Sequence, residues 1–336
     1  MKHISLSSAL LIAIFTACTT GPTEPTLHHI EPSSNKIELS AQNATFDTIP
    51  GVIGMVQKSD SSYFFYLYRS DHCLMETDSD FNIRGFAAKI GEGPHEVRGV
   101  APVYGDILNS GATGFLDPYT FVLYRLSDSL PRQAVEVVDF AGDLAQYQPL
   151  YSFSTSDSTY VIVPGIYQYG LIGYNAASHT IDTWPVGYTA FDTENPVKHI
   201  TSFRDAAFNK KHGIIAETYG KLPLLILHNT NGDITSMLAY GDLPDIDTLQ
   251  EDDPDPFAAI KLTDNNIYIL YRDNDEAPRN DILVIGYDGT LIATLGVDAA
   301  YTFEVDPDCR RIICINPNDD DAAVKFYSIP DIIAQP

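Results

Sequence analysis

The residues best equipped for chemistry in this chain lie in its polar loops. The stretch KIGEGPHEVRGV, residues 89–100, places His95 beside Glu96 after two glycines. A loop of that kind can cradle a phosphate or hold an acid–base pair. Phosphate cradles depend on free backbone N–H groups, usually with a lysine or a helix N-terminus. Pro94 has no N–H, Glu92 and Glu96 add negative charge, and no G-K-[ST] follows. The His–Glu pair has no nucleophile beside it and no H-E-x-x-H pattern. Gly91 and Gly93 supply unusual backbone angles and Pro94 a fixed φ, so the stretch reads as a sharp corner between strands.

Acidic runs form a second group: EDDPDPF (251–257), DNDE (273–276) and NDDD (318–321). Calcium takes six to eight oxygens, usually from a D-x-[DN]-x-[DN]-G loop with a distal Glu, and none of these runs reproduces it. They read as solvated turns. His179, His199, His212 and His228 share no paired spacing, and no serine sits in G-x-S-x-G. No catalytic residue, metal or cofactor is therefore assigned. The remaining candidates are loop residues that combine stacking faces with fixed donors: Arg69, Asp117, Tyr119, Tyr167, Tyr169, Glu217, Tyr219, Arg272, Asp273 and Asn316. Tyrosine and arginine together suit sugars or peptides.

Those loops recur because the chain itself recurs. Short β-branched and aromatic runs alternate with Gly, Pro, Asn and Asp clusters, and no long stretch has a 3.6-residue rhythm. One set of runs is YFFYLY, ATGFLD, TYVIVP, HGIIAE, NNIYIL and RRIICI. A second set follows each member, and a third set, from NIRGFAAKIG to TLIATLGV, follows the second in five of the six copies. The period of roughly fifty residues is that of a four-stranded propeller blade. The sixth copy lacks its last strand, and NKIELS (35–40) has no other assignment, so an N-terminal strand is expected to complete the last blade. The predicted fold is all-β, a six-bladed β-propeller over residues 35–336. The candidate loops follow the first run of each copy, read as the second strand of a blade, and would surround one mouth.

The chain carries 45 acidic and 20 basic residues, a formal charge of −25. Such a surface repels phosphate backbones and argues against nucleic acid. At the N-terminus, Lys2 precedes the apolar run ISLSSALLIAIF, too short to span a bilayer and of the length of a signal-peptide core. It ends at Phe15-Thr16-Ala17-Cys18, which resembles a bacterial lipobox with Phe in place of the usual Leu. That resemblance implies a signal peptide over 1–17 and acylation of Cys18. Residues 18–34, rich in Pro, Ser and Thr, read as a flexible tether. Cys73, Cys309 and Cys314 are odd in number and lack C-x-x-C spacing, so free thiols or one disulfide are open.

KIGEGPHEV is similar to the G-x-G-P-G-E-F inter-blade turn of NHL-type propellers, with His95 for the second Gly and Val97 for Phe. The stretch from ILVIGYDG to KFYSI is similar to the final repeats of six-bladed, TolB-like propeller lipoproteins of Bacteroidetes. The resemblance covers nearly the whole mature chain and transfers no catalytic residue. It implies a periplasm-facing or surface lipoprotein; the expectation is a monomer anchored in the outer membrane of a Gram-negative bacterium. The function expected is non-enzymatic recognition or scaffolding, binding a protein or glycan through one propeller face. The alternative is a propeller-class glycan hydrolase or lyase using acidic rim residues.

Overall fold

The computed structural model describes residues 26–33, 35–59, 61–102, 114–129, 131–165, 169–184, 204–250, 253–273, 277–319 and 323–333. Within them, six antiparallel sheets follow one another along the chain as the blades of a propeller, with little helix beyond the turn Ala141–Leu144. The first blade is built from Val52–Ser59, Ser62–Tyr68, His72–Thr77 and Ile83–Lys89, and the second from Ala101–Pro102, Gly114–Asp117, Val122–Leu126 and Ala134–Asp139. Pro149–Ser154, Thr159–Pro164, Ile172–Asn175 and Thr180–Thr183 make the third. Arg204–Asn209, Ile214–Tyr219, Leu222–Asn229 and Ile234–Tyr240 make the fourth. Phe257–Leu262, Asn266–Tyr271, Arg279–Gly286 and Leu291–Asp298 make the fifth. The sixth contributes Thr302–Asp306, Arg311–Ile315 and Val324–Ser328. The first strands of the fourth, fifth, sixth and first blades contact one another in turn, which places them around the axis.

Strand alternation explains the core. Successive side chains point to opposite faces of a sheet, so YFFYLY feeds two neighbours. Tyr63 and Phe65 pack with Ile313 and Ile315 of the sixth blade. Phe64 and Tyr66 pack with Phe115 and Leu126 of the second. Likewise Leu225 and Leu227 meet Ile267 and Ile269 between the fourth and fifth blades, and Leu270 and Ile282 meet Phe303 and Ile312 between the fifth and sixth. The apolar faces are thus buried between blades, where stacked sheets hide what a single repeat would expose.

The ring closes as its count of runs requires, but with different residues. The sixth blade takes its fourth strand from Gln42–Asn43, antiparallel to Lys325 and Phe326, with the Ala44 N–H donating to the Val324 carbonyl at 3.0 Å. Residues 35–40, expected there, instead lay Lys36–Glu38 parallel against the outer strand of the fifth blade. The reason is chemical. Ile37 and Leu39 reach the apolar cluster of the fifth and sixth blades, whereas Gln42 and Asn43 are exposed and leave no apolar signal. The tether expected over 18–34 is also corrected within its described part. Leu27–Ile30 pairs in parallel with Met237–Tyr240 as a fifth strand of the fourth blade, and Ile30 is buried. The N-terminal segment therefore runs as a strap over the fourth, fifth and sixth blades before entering the first.

The loop at 89–97 is a corner. The Gly91 N–H donates to the Val97 carbonyl at 3.0 Å, and the Val97 N–H to the Lys89 carbonyl at 2.9 Å. Glu96 turns inward to accept from the Gly93 N–H at 2.8 Å and from Lys89 Nζ at 2.7 Å. His95 has φ +65°, the left-handed region in which glycine is favoured, and its Nδ1 lies 3.1 Å from the Ala134 carbonyl of the next blade. The cross-blade contact offsets the backbone strain that a non-glycine residue brings there. Cys73, Cys309 and Cys314 are all free thiols.

Candidate functional site

Where first strands begin and second strands end, the blades surround a cavity of about 380 Å³. Its wall is made by Gly54, Met55 and Tyr68 of the first blade, Tyr151 of the third and Asp205 of the fourth. Ala258 and Ala259 of the fifth blade and Tyr301, Thr302 and Pro317 of the sixth complete it. Tyr68 and Tyr301 are 50% and 58% exposed and form its rim, while Asp205, at 5%, lies deep. A Cβ on Gly54 would meet the Tyr68 ring, with Cδ2 at 2.6 Å, so the glycine is what lets this ring fold across the mouth. It sits at a bulge where the pairing of Val52–Ser59 with Ser62–Tyr68 shifts register.

Asp205 opens the innermost strand of the fourth blade. Its Oδ1 accepts from the Ala206 N–H and its Oδ2 from the Ile260 N–H of the fifth blade, each at 3.0 Å. Burial pushes its pKa up to about 6, against the opposing pull of Lys261 and of those two N–H groups. Lys261 is itself held 3.3 Å from Glu304, whose other oxygen accepts from the Val305 N–H at 2.9 Å. Two carboxylates and one ammonium thus leave one negative charge beneath the cup. Burial also pushes the Tyr151 phenol up, reinforced by Asp205 and by the Tyr68 and Tyr301 phenols nearby. At neutral pH the cup presents an ionised carboxylate among phenol hydroxyls.

The residues singled out in the sequence divide into three groups. Arg272 and Asn316 serve the mouth from behind. Arg272 Nη2 donates to the Ala300 and Tyr301 carbonyls at 3.0 and 2.8 Å, its guanidinium 5.4 Å from the Tyr301 ring, and Asn316 Nδ2 donates to the Ala299 carbonyl at 3.1 Å. Together they fix the inter-blade loop that presents Tyr301. Asp117 is buried and accepts from the backbone N–H groups of Arg98 and Tyr119 at 2.8 and 2.9 Å, setting the turn on which Tyr119 stands 70% exposed.

A second group lies elsewhere. Arg69, with φ +56°, lines a separate groove of about 620 Å³ beside Asp47, Asp71 and His72. Tyr169 packs edge-on against Tyr147 at 4.9 Å, and Asp273 is exposed but off the cup wall. Tyr167 lies outside the described residues, as do Cys18, His199 and parts of the three acidic runs.

The third group corrects the expected rim. Glu217 and Tyr219 belong to a buried strand, because the turn after them is only Gly220-Lys221 before pairing resumes at Leu222. Glu217 is buried against His228, Oε2 to Nε2 3.1 Å, and Tyr219 packs with Leu222, Leu224 and Ile226. Lys221 folds under onto the Asp253 carbonyl and, at 3.3 Å, onto Asp255. Among the described residues no group of three or more His, Cys, Asp or Glu is placed to hold a metal ion.

Tyr68, Tyr151, Asp205 and Tyr301 were not singled out in the sequence. Tyr68 ends YFFYLY and opens the loop YRSDH, in which Arg69 stood out instead. The other three belong to first strands or to the residue before one, a set that the three runs of each repeat leave out. Tyr151, Asp205 and Thr302 each stand seven or eight residues before the start of TYVIVP, HGIIAE and RRIICI, a shared offset that could have placed them.

No family model matches the chain, and no curated protein is similar to it in sequence. Solved structures are similar in fold. An exported protein from Bacteroides fragilis superposes with a TM-score of 0.54 at 12% identity, over 90% of this chain and 99% of that one. A member of the DUF4221 family from Bacteroides vulgatus superposes with a TM-score of 0.56 at 12% identity, over 88% and 98%. At these identities the likeness is one of fold, a six-bladed propeller.

Proposed function

We propose that this chain is a non-enzymatic recognition module of the cell envelope, a lipid-anchored monomer that binds a protein or glycan through the face bearing the axial cup. The observation that carries the reading is the placement of exposed aromatics. Tyr68, Tyr119 and Tyr301 stand out at 50%, 70% and 58% exposure, all at second-strand ends or first-strand starts on one face. Exposed aromatics gathered on one face of a monomer mark an interaction site, and tyrosine supplies a stacking surface with a hydrogen-bonding tip.

The hydrolase or lyase alternative calls for two carboxylates facing a cleft, roughly 5–10 Å apart. Among the described residues Asp205 is the one carboxylate on the cup wall, and Glu304 is tied to Lys261 behind it. That arrangement favours binding over hydrolysis.

The lipobox-like FTAC and the exported protein of similar fold support a place in the envelope, on the periplasmic or surface side of a Gram-negative outer membrane. With the strap beginning at Leu27, the chain from Cys18 reaches about 30 Å at roughly 3.3–3.6 Å per residue, which holds the fourth blade near the bilayer. Labelled palmitate should enter the protein in cells and be lost in Cys18→Ala; labelling that persists in that variant defeats the anchor.

Glycan and peptide arrays probed with the full chain test the binding face. Specific binders should appear and weaken about tenfold in Tyr68→Ala and Tyr301→Ala, the scale of a central aromatic anchor. Both side chains are half exposed, so thermal unfolding should be little changed. Blank arrays, or binders indifferent to both substitutions, overturn the reading.

A further inference from the structure

Resting on the recognition reading, we propose that the axial cup selects an amino sugar with a free ammonium group, in preference to the neutral or N-acetylated sugar. Three observations lead there. The cup holds about 380 Å³, at the small end of ligand clefts, which suits a saccharide of about one or two rings. A slim alkyl-ammonium chain would leave much of it unfilled. The walls supply ring faces and phenol hydroxyls from Tyr68, Tyr151 and Tyr301, which match the apolar faces and hydroxyl edges of a pyranose.

The charge then decides the substituent. Asp205 is the one ionisable group on the wall besides the tyrosines, among the described residues, and no Arg, Lys or His joins it there. The nearest cation, Lys261, is neutralised by Glu304 at 3.3 Å, and Arg272 is turned onto the Ala300 and Tyr301 carbonyls. A buried carboxylate is costly unless paired, and a ligand ammonium provides the pairing that the wall does not. Anionic sugars are disfavoured by the same charge and by the −25 of the whole chain.

The groups facing Asp205 are Tyr151 of the third blade, Lys261 of the fifth with its partner Glu304 of the sixth, and the N–H groups of Ala206 and Ile260. Because burial pushes the Asp205 carboxyl up to about 6, an ammonium-selective cup should be selective near pH 7 and lose the preference near pH 5, where the carboxyl is largely neutral.

Calorimetric titration of the full chain with glucosamine, N-acetylglucosamine, glucose and Nα-acetyl-lysine amide tests this. Glucosamine should bind at least about tenfold tighter than the two neutral sugars near pH 7, a ratio equal to about 1.4 kcal/mol. The ratio should collapse near pH 5 and in Asp205→Asn. That variant can fail to fold, since Asp205 joins two blades through the Ile260 N–H; the pH series on the unaltered protein decides the matter alone. Neutral sugars binding as well as glucosamine, or a preference that survives at pH 5, overturn the ammonium assignment and leave the recognition reading standing. The lysine amide binding as tightly overturns the sugar. No binding by any of the four overturns the proposal, while the recognition reading falls only with blank arrays.

Discussion

Arg132→Ala should cost about 3–5 kcal/mol at neutral pH, the range for stripping one partner from a buried ion pair. Glu76, on the third strand of the first blade, is 2% exposed. Arg132, in the turn before the last strand of the second blade, grips it through Nε–Oε2 at 2.6 Å and Nη2–Oε1 at 3.0 Å. Ser62 Oγ adds a third bond to Oε1 at 3.0 Å, and the guanidinium lies 5.8 Å from the centre of the Phe64 ring. The bidentate grip crosses from one blade to the next, so its loss loosens an interface as well as a contact. Burial on its own pushes the Glu76 carboxyl up; the hydrogen bonds from Arg132 and Ser62 outweigh it and hold the group below its ordinary 4.5. A depressed carboxyl stabilises the fold fully above its unfolded pKa, and the contribution fades as pH falls through the folded one. The gap between the parent and Arg132→Ala in chemical denaturation should therefore be widest at neutral pH and narrow below about pH 4.5, as Glu76 takes up a proton. A gap under 1 kcal/mol, or one independent of pH, would show that the pair does not hold these blades together. A Glu76→Leu/Arg132→Met double variant should recover most of the loss, because an apolar pair avoids the uncompensated charge.

The same geometry shows why the fold was legible in the sequence and the cup was not. Second and third strands, such as YFFYLY and LLILHN, bury side chains on both faces and announce themselves as apolar runs. First strands crowd towards the axis, and three of them read RDAAFN, FAAIKL and TFEVD. Small residues fit the narrow centre, and the charged Asp205, Lys261 and Glu304 interrupt them there, so no hydrophobic rhythm marks them. The missing fourth strand was countable because five outer strands leave a sixth blade open. Its identity was not, since Gln42–Asn43 contributes backbone hydrogen bonds and no buried side chain. Glu217 and Tyr219 were misplaced for the converse reason: polar residues in a tight two-residue turn look like loop, yet the buried Glu217–His228 pair belongs inside the sheet.

Shortening the strap should produce two steps of very different size. Starting the chain at residue 35 removes Leu27–Ile30, the fifth strand of the fourth blade. Burial of Ile30 and part of Leu27 is lost, worth about 2–4 kcal/mol by the usual value of a buried aliphatic side chain, less the entropy recovered by a freed terminus. That protein should still unfold in one cooperative transition. Starting it at residue 45 removes far more. Ile37 and Leu39 leave the cluster between the fifth and sixth blades, and the ion pairs Lys36–Asp281 at 2.5 Å and Arg279–Glu38 at 2.8 Å disappear. Val324–Ser328, which carries Phe326, becomes an open strand edge, and an unpaired edge invites association. The expected result is loss of the cooperative transition and concentration-dependent aggregation, followed by fluorescence of the lone Trp184, 6% exposed in the native state. Gly296→Val offers a subtler version without truncation, since a side chain there would push aside the ends of the Lys36 and Glu38 side chains and with them the ion pairs to Asp281 and Arg279 that pin the strap to the fifth blade. It should raise hydrogen exchange at Leu39, whose N–H donates to the Gly296 carbonyl at 3.0 Å, while leaving Ala44 protected. If the chain starting at residue 45 unfolds as cooperatively and as late as the parent, the ring is held by its six sheets without the strap, and the closing strand is an ornament to the sixth blade.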